Sequence, residues 1–260
     1  MHRILQDIIR NTTEEVKKRQ DKTVFVKDTI LYKRISFKDC ILNPKVGDIS
    51  LIAEVKLFSP TLGKLGEQAD ILKRLHEYQN TGADAVSIIT EKEFFKGNPE
   101  LVTIAKKSDL GLPILQKDFV IDEFQIQESY RLGSDALLLI ARIINTKQLN
   151  KFVKLCKEKK IESIVEICNE DDLKKAVSSE TEIIAVNARD LDTFEVDIDK
   201  ACKLLGMIPE KFIKLGFSGI HSRNEVEKYK QAGAKAILVG TELMKAKDIG
   251  KKIKELKNVS

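Results

Sequence analysis

Short apolar runs recur along the chain, and amphipathic stretches separate them. The runs lie near residues 49–56, 84–90, 113–117, 135–141, 161–167, 182–187, 212–217 and 235–239, and they are rich in Ile, Val and Leu. Continuous apolar runs of this length suit strands buried on both faces, as in a parallel sheet. The segments between them have helical spacing. Over 122–132, Asp122 is placed to cap a helix and Gly133 to end it. Ser222 precedes a second helix over 223–232, with Glu225 in the capping-box position and Gly233 beyond its end. A third, over 146–160, opens at Asn145 or Thr146 and ends in basic residues that suit the helix dipole. Gly-Ala-Asp-Ala (82–85), Gly-Ser-Asp-Ala (133–136) and Gly-Ala-Lys-Ala (233–236) read as one helix-to-strand turn reused, the glycine supplying a positive φ.

Eight strand–helix units in succession predict an α/β fold, a closed (β/α)8 TIM barrel. The rival is an open doubly wound sheet, which would carry a glycine-rich turn after its first strand. Here that strand runs into Lys56-Leu57-Phe58-Ser59-Pro60, which is not such a turn. Residues 1–46 precede the first strand. Ile4 to Lys18 has helical spacing, so an N-terminal helical extension is expected to pack over the barrel. No linker rich in Gly, Pro or Ser divides the chain, and one domain over 1–260 is expected, with the barrel over 47–260.

Composition narrows the class. The 260 residues are 42% hydrophobic and 33% charged, yet the net charge is only +5. Lysine runs such as 157–160 sit beside acids on helical faces, which reads as solvated surface and not as a nucleic-acid site. Cys40, Cys156, Cys168 and Cys202 are far apart with no C-x-x-C, so reduced thiols are expected, without a metal site. The charged start Met1-His2-Arg3 lacks a signal-peptide core, and no apolar run is long enough to span a membrane. The expectation is a cytoplasmic protein, a monomer or weak homo-oligomer, with a small-molecule partner and neither nucleic acid nor membrane.

Charged groups stand where the apolar strands end. Read in order, the strand ends carry Lys56, Glu91, Lys117, Arg142, Glu166, Asn187 with Arg189, then the uncharged Ser218 and Gly240. Glu54 and Lys56 are two apart and share one side of their strand. A buried ion is costly unless paired, and barrel interiors otherwise favour branched apolar side chains. One active site at the carboxyl ends of the strands accounts for all of them. Two lysines held together are expected to lower each other's pKa, so that one acts as a general acid near neutrality. Phe217-Ser218-Gly219-Ile220 and Val239-Gly240-Thr241, the latter opening a short helix, match the barrel site where backbone N–H groups hold phosphate. His76 and His221 read as structural, and no cluster of metal-ligand spacing occurs.

Taken together, these segments resemble the indole-3-glycerol phosphate synthase family. The matching elements are Ile52-Ala53-Glu54-Val55-Lys56 with Ser59-Pro60, Thr90-Glu91 with Phe95 and Gly97, and Lys117-Asp118-Phe119. Val165-Glu166, Asn187-Ala188-Arg189-Asp190-Leu191, Ser218-Gly219-Ile220 and Val239-Gly240 complete the set. The resemblance implies ring closure, decarboxylation and dehydration of 1-(2-carboxyphenylamino)-1-deoxyribulose 5-phosphate, without a cofactor. It implies Lys117 as general acid, Glu166 as the group that stabilises a cationic intermediate or serves dehydration, Lys56 held by Glu54, and Asn187 on the hydroxyls. It implies Ser59 and Arg189 at the carboxylate. Phe95, Phe119 and Leu191 would sit around the anthranilate ring, with Ser218, Gly219, Gly240 and Thr241 at the phosphate. The chain departs from the family pattern at Phe217, where Glu is usual, at Ala188 for Asn, and at Thr61 for Ser. A phosphoribosylanthranilate isomerase would instead be expected to use a Cys/Asp acid–base pair. A non-catalytic barrel has only Phe217 in its favour.

Overall fold

The computed structural model describes residues 3–22 and 32–259. Residues 23–31 of the expected extension, and the start Met1-His2, lie outside the described residues. Eight strands form the barrel: β1 (Ser50–Val55), β2 (Ala85–Ile89), β3 (Ile114–Lys117), β4 (Ala136–Ile140), β5 (Glu162–Ile167), β6 (Ile183–Asn187), β7 (Ile213–Phe217) and β8 (Ala236–Val239). All neighbours pair in parallel, and β8 returns to β1 with Ser50 opposite Ala236, which closes the sheet. The eight apolar runs read from the sequence therefore each become one strand, trimmed by a residue or so at either end.

Helices α1 (Arg3–Lys22) and α2 (Phe37–Leu42) precede the barrel. Helices α3 (Ile71–Asn80), α4 (Glu100–Lys107), α5 (Glu123–Leu132), α6 (Thr146–Glu158), α7 (Glu170–Val177), α8 (Ile198–Met207) and α9 (Arg223–Gln231) connect successive strands. The short α10 (Thr241–Lys245) and α11 (Ile249–Lys257) follow β8. Helix ends follow the local chemistry. Asp122, Asn145 and Ser222 each form a full capping box with the residue three further on. Each box satisfies amide donors that a helix start leaves unpaired. No helix among the described residues is long and apolar enough to cross a membrane.

The strands separate two apolar layers. Between strands and helices lies the larger one, including Leu51, Val86, Leu139, Val165, Ile184 and Ile237. Inside the barrel lie Ile52, Ala85, Leu115, Leu138, Ile164 and Leu215, one residue out of phase as strand geometry requires. Phe37 and Ile41 of α2 belong to this inner cluster and are fully buried, so α2 plugs the amino-terminal end of the barrel. Side chains of that size contribute about 1.5–3 kcal/mol each when buried. The plug is pinned by Glu162, which accepts from Ser36 Oγ at 2.9 Å and from the Lys38 amide at 2.6 Å. Helix α1 sits against α5, where Arg19 makes a forked pair with Glu128 at 2.9 and 3.0 Å.

The reused turn has a chemistry that its glycines only partly announce. Gly82, Gly133 and Gly233 have φ of 99°, 97° and 95°, as the left-handed turn demands. The aspartates two residues on do further work. Asp84 accepts from the Leu51 amide at 2.8 Å, and Asp135 from the Ile114 amide at 2.8 Å, so each holds the start of the neighbouring strand. Both are buried and each has a cation: Lys257 on Asp84 at 2.5 Å and Lys106 on Asp135 at 2.8 Å.

Candidate active site

Because strand residues alternate in direction, β1, β3, β5 and β7 can each send one side chain inward near the same level. Those four are Glu54, Lys117, Glu166 and Phe217, and all face one cavity of about 470 Å³ at the carboxyl-terminal mouth. The same cavity receives Lys56, Ser59, Phe95, Phe119, Asn187, Arg189 and Leu191. Ser218, Gly219, Gly240 and Thr241 line it from the turns after β7 and β8. Apart from Glu91 and Arg142, the candidate site residues read from the sequence border a single space.

Glu54 organises the charges. Its Oε1 lies 3.4 Å from the Lys56 ammonium and its Oε2 lies 3.4 Å from the Lys117 ammonium. Burial works against the Glu54 carboxylate, but the two lysines outweigh it and hold its pKa below the ordinary range. The expectation of a depressed lysine pKa is corrected for Lys117. Burial pulls that pKa down, yet Glu54 and Glu166 outweigh burial, so the net direction is upward. The nearby carboxylates, not the second ammonium, decide the sign. Across the cavity, burial pushes Glu166 above the ordinary glutamate range despite the pull of Lys117. Asn187 Nδ2 donates to Glu166 Oε1 at 3.1 Å, while Oε2 has no hydrogen-bond partner among the described residues. Asn187 Oδ1 accepts from the Arg189 amide at 3.0 Å, and the Arg189 guanidinium donates to Phe194 O at 2.9 Å.

One wall is apolar. The Phe95 and Phe119 rings lie 6.2 Å apart with planes tilted by 31°, and Leu191 joins them at the cavity. Leu138 and Ile140 of β4 form part of the floor, and Leu5 and Ile8 reach the mouth from α1. Sequence reasoning missed these four as site residues. The inward phase of β4 could have revealed the first pair. Phe217 is 1% exposed and packs with the inner barrel cluster. An apolar side chain therefore lies on β7 where two carboxylates already crowd the cup.

Opposite the aromatic wall, two turns bring backbone close. Ser218 and Gly219 have consecutive positive φ values of 70° and 75°, which turns the chain sharply after β7. Gly240 is a close-approach position: a Cβ there would stand 2.5 Å from Glu54 Oε1. His221 at the rim pairs its Nδ1 with Glu242 Oε1 at 2.9 Å.

Two strand-end charges stand elsewhere. Glu91 does not border the mouth cavity. Its carboxylate folds back on its own loop and accepts from the amides of Glu93, Phe94 and Phe95 at 2.8–3.0 Å. That bond set shapes the loop that carries Phe95. Arg142 also lies outside the cavity lining and pairs with Asp192.

The sequence profile of indole-3-glycerol phosphate synthase matches residues 5–256. Curated relatives of that name include one from Acetivibrio thermocellus, 36% identical over 98% of this chain and 100% of its own length. Another, from Aliarcobacter butzleri, is 35% identical over 98% of each chain. Among solved structures, a 3-hexulose-6-phosphate synthase superposes with a TM-score of 0.65 over 82% of this chain and all of that one. At 13% identity that likeness speaks for the barrel fold alone. With a profile match across almost the whole chain and full-length relatives above 30% identity, the chain belongs to the indole-3-glycerol phosphate synthase family.

Proposed function

We propose that this barrel converts 1-(2-carboxyphenylamino)-1-deoxyribulose 5-phosphate to indole-3-glycerol phosphate, carbon dioxide and water. The enzyme is a carboxy-lyase of tryptophan biosynthesis. The observation that carries the mechanism is Glu54 shared by two lysines, with Glu166 facing the same cavity.

The aryl carbon that bears the carboxylate attacks the ketone carbon of the substrate. The ketone oxygen gains charge as the new bond forms, and the Lys117 ammonium donates a proton to it. Its raised pKa keeps it protonated at neutral pH, which suits an acid that must carry its proton before the reaction starts. The ring is then cationic, and Glu166 stabilises it electrostatically. Loss of carbon dioxide returns the electron pair to the aromatic ring. The new hydroxyl next departs as water, while the neighbouring CH2 carbon gives up a proton to form the indole double bond. Glu166, with a pKa raised by burial, is a stronger base than a solvated glutamate and takes that proton. Lys56, held by the other oxygen of Glu54, positions the substrate and serves proton transfer to the leaving hydroxyl. Asn187 orients hydroxyls, and Ser59 with Arg189 meets the carboxylate.

Phe95, Phe119 and Leu191 form the slot for the anthranilate ring. The backbone at Ser218, Gly219, Gly240 and Thr241 holds the phosphate. This reading carries with it a cytoplasmic monomer or weak homo-oligomer that acts without cofactor or nucleic acid. Purified protein should turn the carboxyphenylamino substrate into indole-3-glycerol phosphate, followed by indole fluorescence and by mass. No product above the uncatalysed background sinks the assignment.

A further inference from the structure

Behind the proposed acid runs a buried polar chain that the reaction does not itself use. Ser134 Oγ donates to Gln116 Oε1 at 2.6 Å, and Gln116 Nε2 donates to Thr90 Oγ1 at 3.3 Å. Thr90 Oγ1 donates to Asp118 Oδ2 at 2.5 Å, and the Phe119 amide donates to Asp118 Oδ1 at 2.8 Å. Ser134, Gln116 and Thr90 are all buried. The polarity is one-way. Thr90 already accepts from Gln116, so its single proton points to Asp118, and both Asp118 oxygens act as acceptors. The backbone on either side is tied as well. The Thr90 amide donates to Lys117 O at 3.1 Å, and Gln125 Nε2 donates to Phe119 O at 3.0 Å.

We infer that Thr90, through its hydroxyl bond to Asp118, is a positioning residue that fixes the Lys117-Asp118-Phe119 segment, and with it both the acid and one face of the aromatic slot. Thr90 does not border the mouth cavity and touches no reacting atom in this arrangement. Its effect passes through the carboxylate of Asp118, which lies between the acid and the aromatic ring in the chain. Burial raises the Asp118 pKa while the Thr90 hydroxyl pulls it down. The hydroxyl therefore favours the charged form that can accept two bonds. Valine matches threonine in shape but cannot donate, so Thr90→Val leaves the carboxylate with one bond and frees the segment to shift.

The inference rests on Lys117 being the acid, and the test separates the two. Wild type, Lys117→Ala, Thr90→Val and Thr90→Ser are assayed together, with melting curves for each. The expected result is a kcat for Thr90→Val roughly ten- to a hundredfold below wild type. The alkaline limb of its kcat profile should move to lower pH, because a displaced ammonium loses part of its carboxylate surroundings. Thr90→Ser restores the hydroxyl and should regain kcat to within about threefold of wild type by the same geometric argument. If Thr90→Val keeps wild-type kcat and the same alkaline limb while Lys117→Ala is inactive, the positioning role is wrong and the acid assignment stands. If Thr90→Ser falls as far as Thr90→Val, the hydroxyl is not the active element and the inference fails. That second comparison holds even where the valine variant does not fold. An active Lys117→Ala overturns the acid assignment and this inference with it.

Discussion

Lys117 and Glu54 stand 3.4 Å apart on alternate strands, inside a barrel whose other inward positions are largely apolar. Burial alone would pull this ammonium's pKa down; the carboxylate that faces it and a second, Glu166, nearby outweigh that pull. Replacing Lys117 by Ala removes the donor but leaves Glu54 its Lys56 partner, so the fold should survive. The expected outcome is a fall in kcat of at least about 10²-fold, the lower end for losing a positioned acid. Circular dichroism should match wild type. Near-normal turnover in this variant would remove Lys117 from the mechanism.

The directions of three pKa shifts fix the order of events on acidification. Glu166 is raised by burial, so its carboxylate is lost at a higher pH than an ordinary glutamate. Glu54 is opposed by burial but lowered on balance by Lys117 and Lys56. A glutamate with a lowered folded pKa stabilises the fold above its unfolded value, and that stability disappears as pH falls through the folded one. Turnover should therefore fail at a higher pH than the fold does. On the alkaline side, Lys117 is raised, so the ammonium persists beyond the ordinary lysine range, while its stabilising effect is full below that range and is lost as pH rises from it through the folded value. A kcat profile at saturating substrate, set beside melting temperatures over the same pH series, checks this. Activity and stability falling together in acid would show that Glu166 does not control the limb.

How much of this was legible beforehand depends on which property the fold leaves local. Strands buried on both faces appear as apolar runs, and caps depend on three or four neighbouring residues, so Asp122, Asn145 and Ser222 could be read directly. Glu54, Lys56, Lys117 and Glu166 were visible because charge inside an apolar run demands a reason. Position at a strand end, however, does not fix which way a side chain turns. Glu91 and Arg142 sit at such ends, yet one folds onto its own loop and the other pairs with Asp192. The partners of Asp84 and Asp135 were equally hidden, because Lys257 on Asp84 comes from a distant part of the chain. The pKa direction at Lys117 required knowing that two glutamates, and not only a second lysine, lie close enough to act.

Gly240 offers a test of the architecture that removes no charged group. A methyl group there would lie 2.5 Å from Glu54 Oε1 and 3.2 Å from its Cδ, so the carboxylate must turn away from Lys56. Overpacking of this kind costs about 1–3 kcal/mol. Gly240→Ala should therefore lower both the melting temperature and kcat, with the larger effect on kcat. Gly206→Ala is the control, since nothing lies within 4 Å of a Cβ at that helical position. It should gain about 0.5–1 kcal/mol in stability from the better helix former. Unchanged kinetics in Gly240→Ala would mean that Glu54 has room to move without disturbing the lysines.

At the opposite end of the barrel, Lys257 carries a different prediction, on stability without chemistry. Its side chain is fully buried, and its ammonium lies 2.5 Å from Asp84 Oδ2 and 2.8 Å from Gly82 O. Burial pulls its pKa down although Asp84 pulls it up, so the pair is held against a desolvation cost. The contact ties the last helix to the turn that starts β2, and Asp84 in turn holds the Leu51 amide of β1 at 2.8 Å. Lys257→Met keeps the length of the side chain but leaves the Asp84 charge buried with two amide donors, from Leu51 and Lys45. Loss of one partner from a buried pair costs about 3–5 kcal/mol. Urea denaturation should show a shift of that order in Lys257→Met. The double variant with Asp84→Asn should lose less than the sum of the two single changes, because each single change already breaks the pair. Since the mouth lies at the other end of the strands, kcat measured well below the melting point should stay at the wild-type value. A drop in kcat without loss of stability would mean that the two ends of the barrel are coupled through β1.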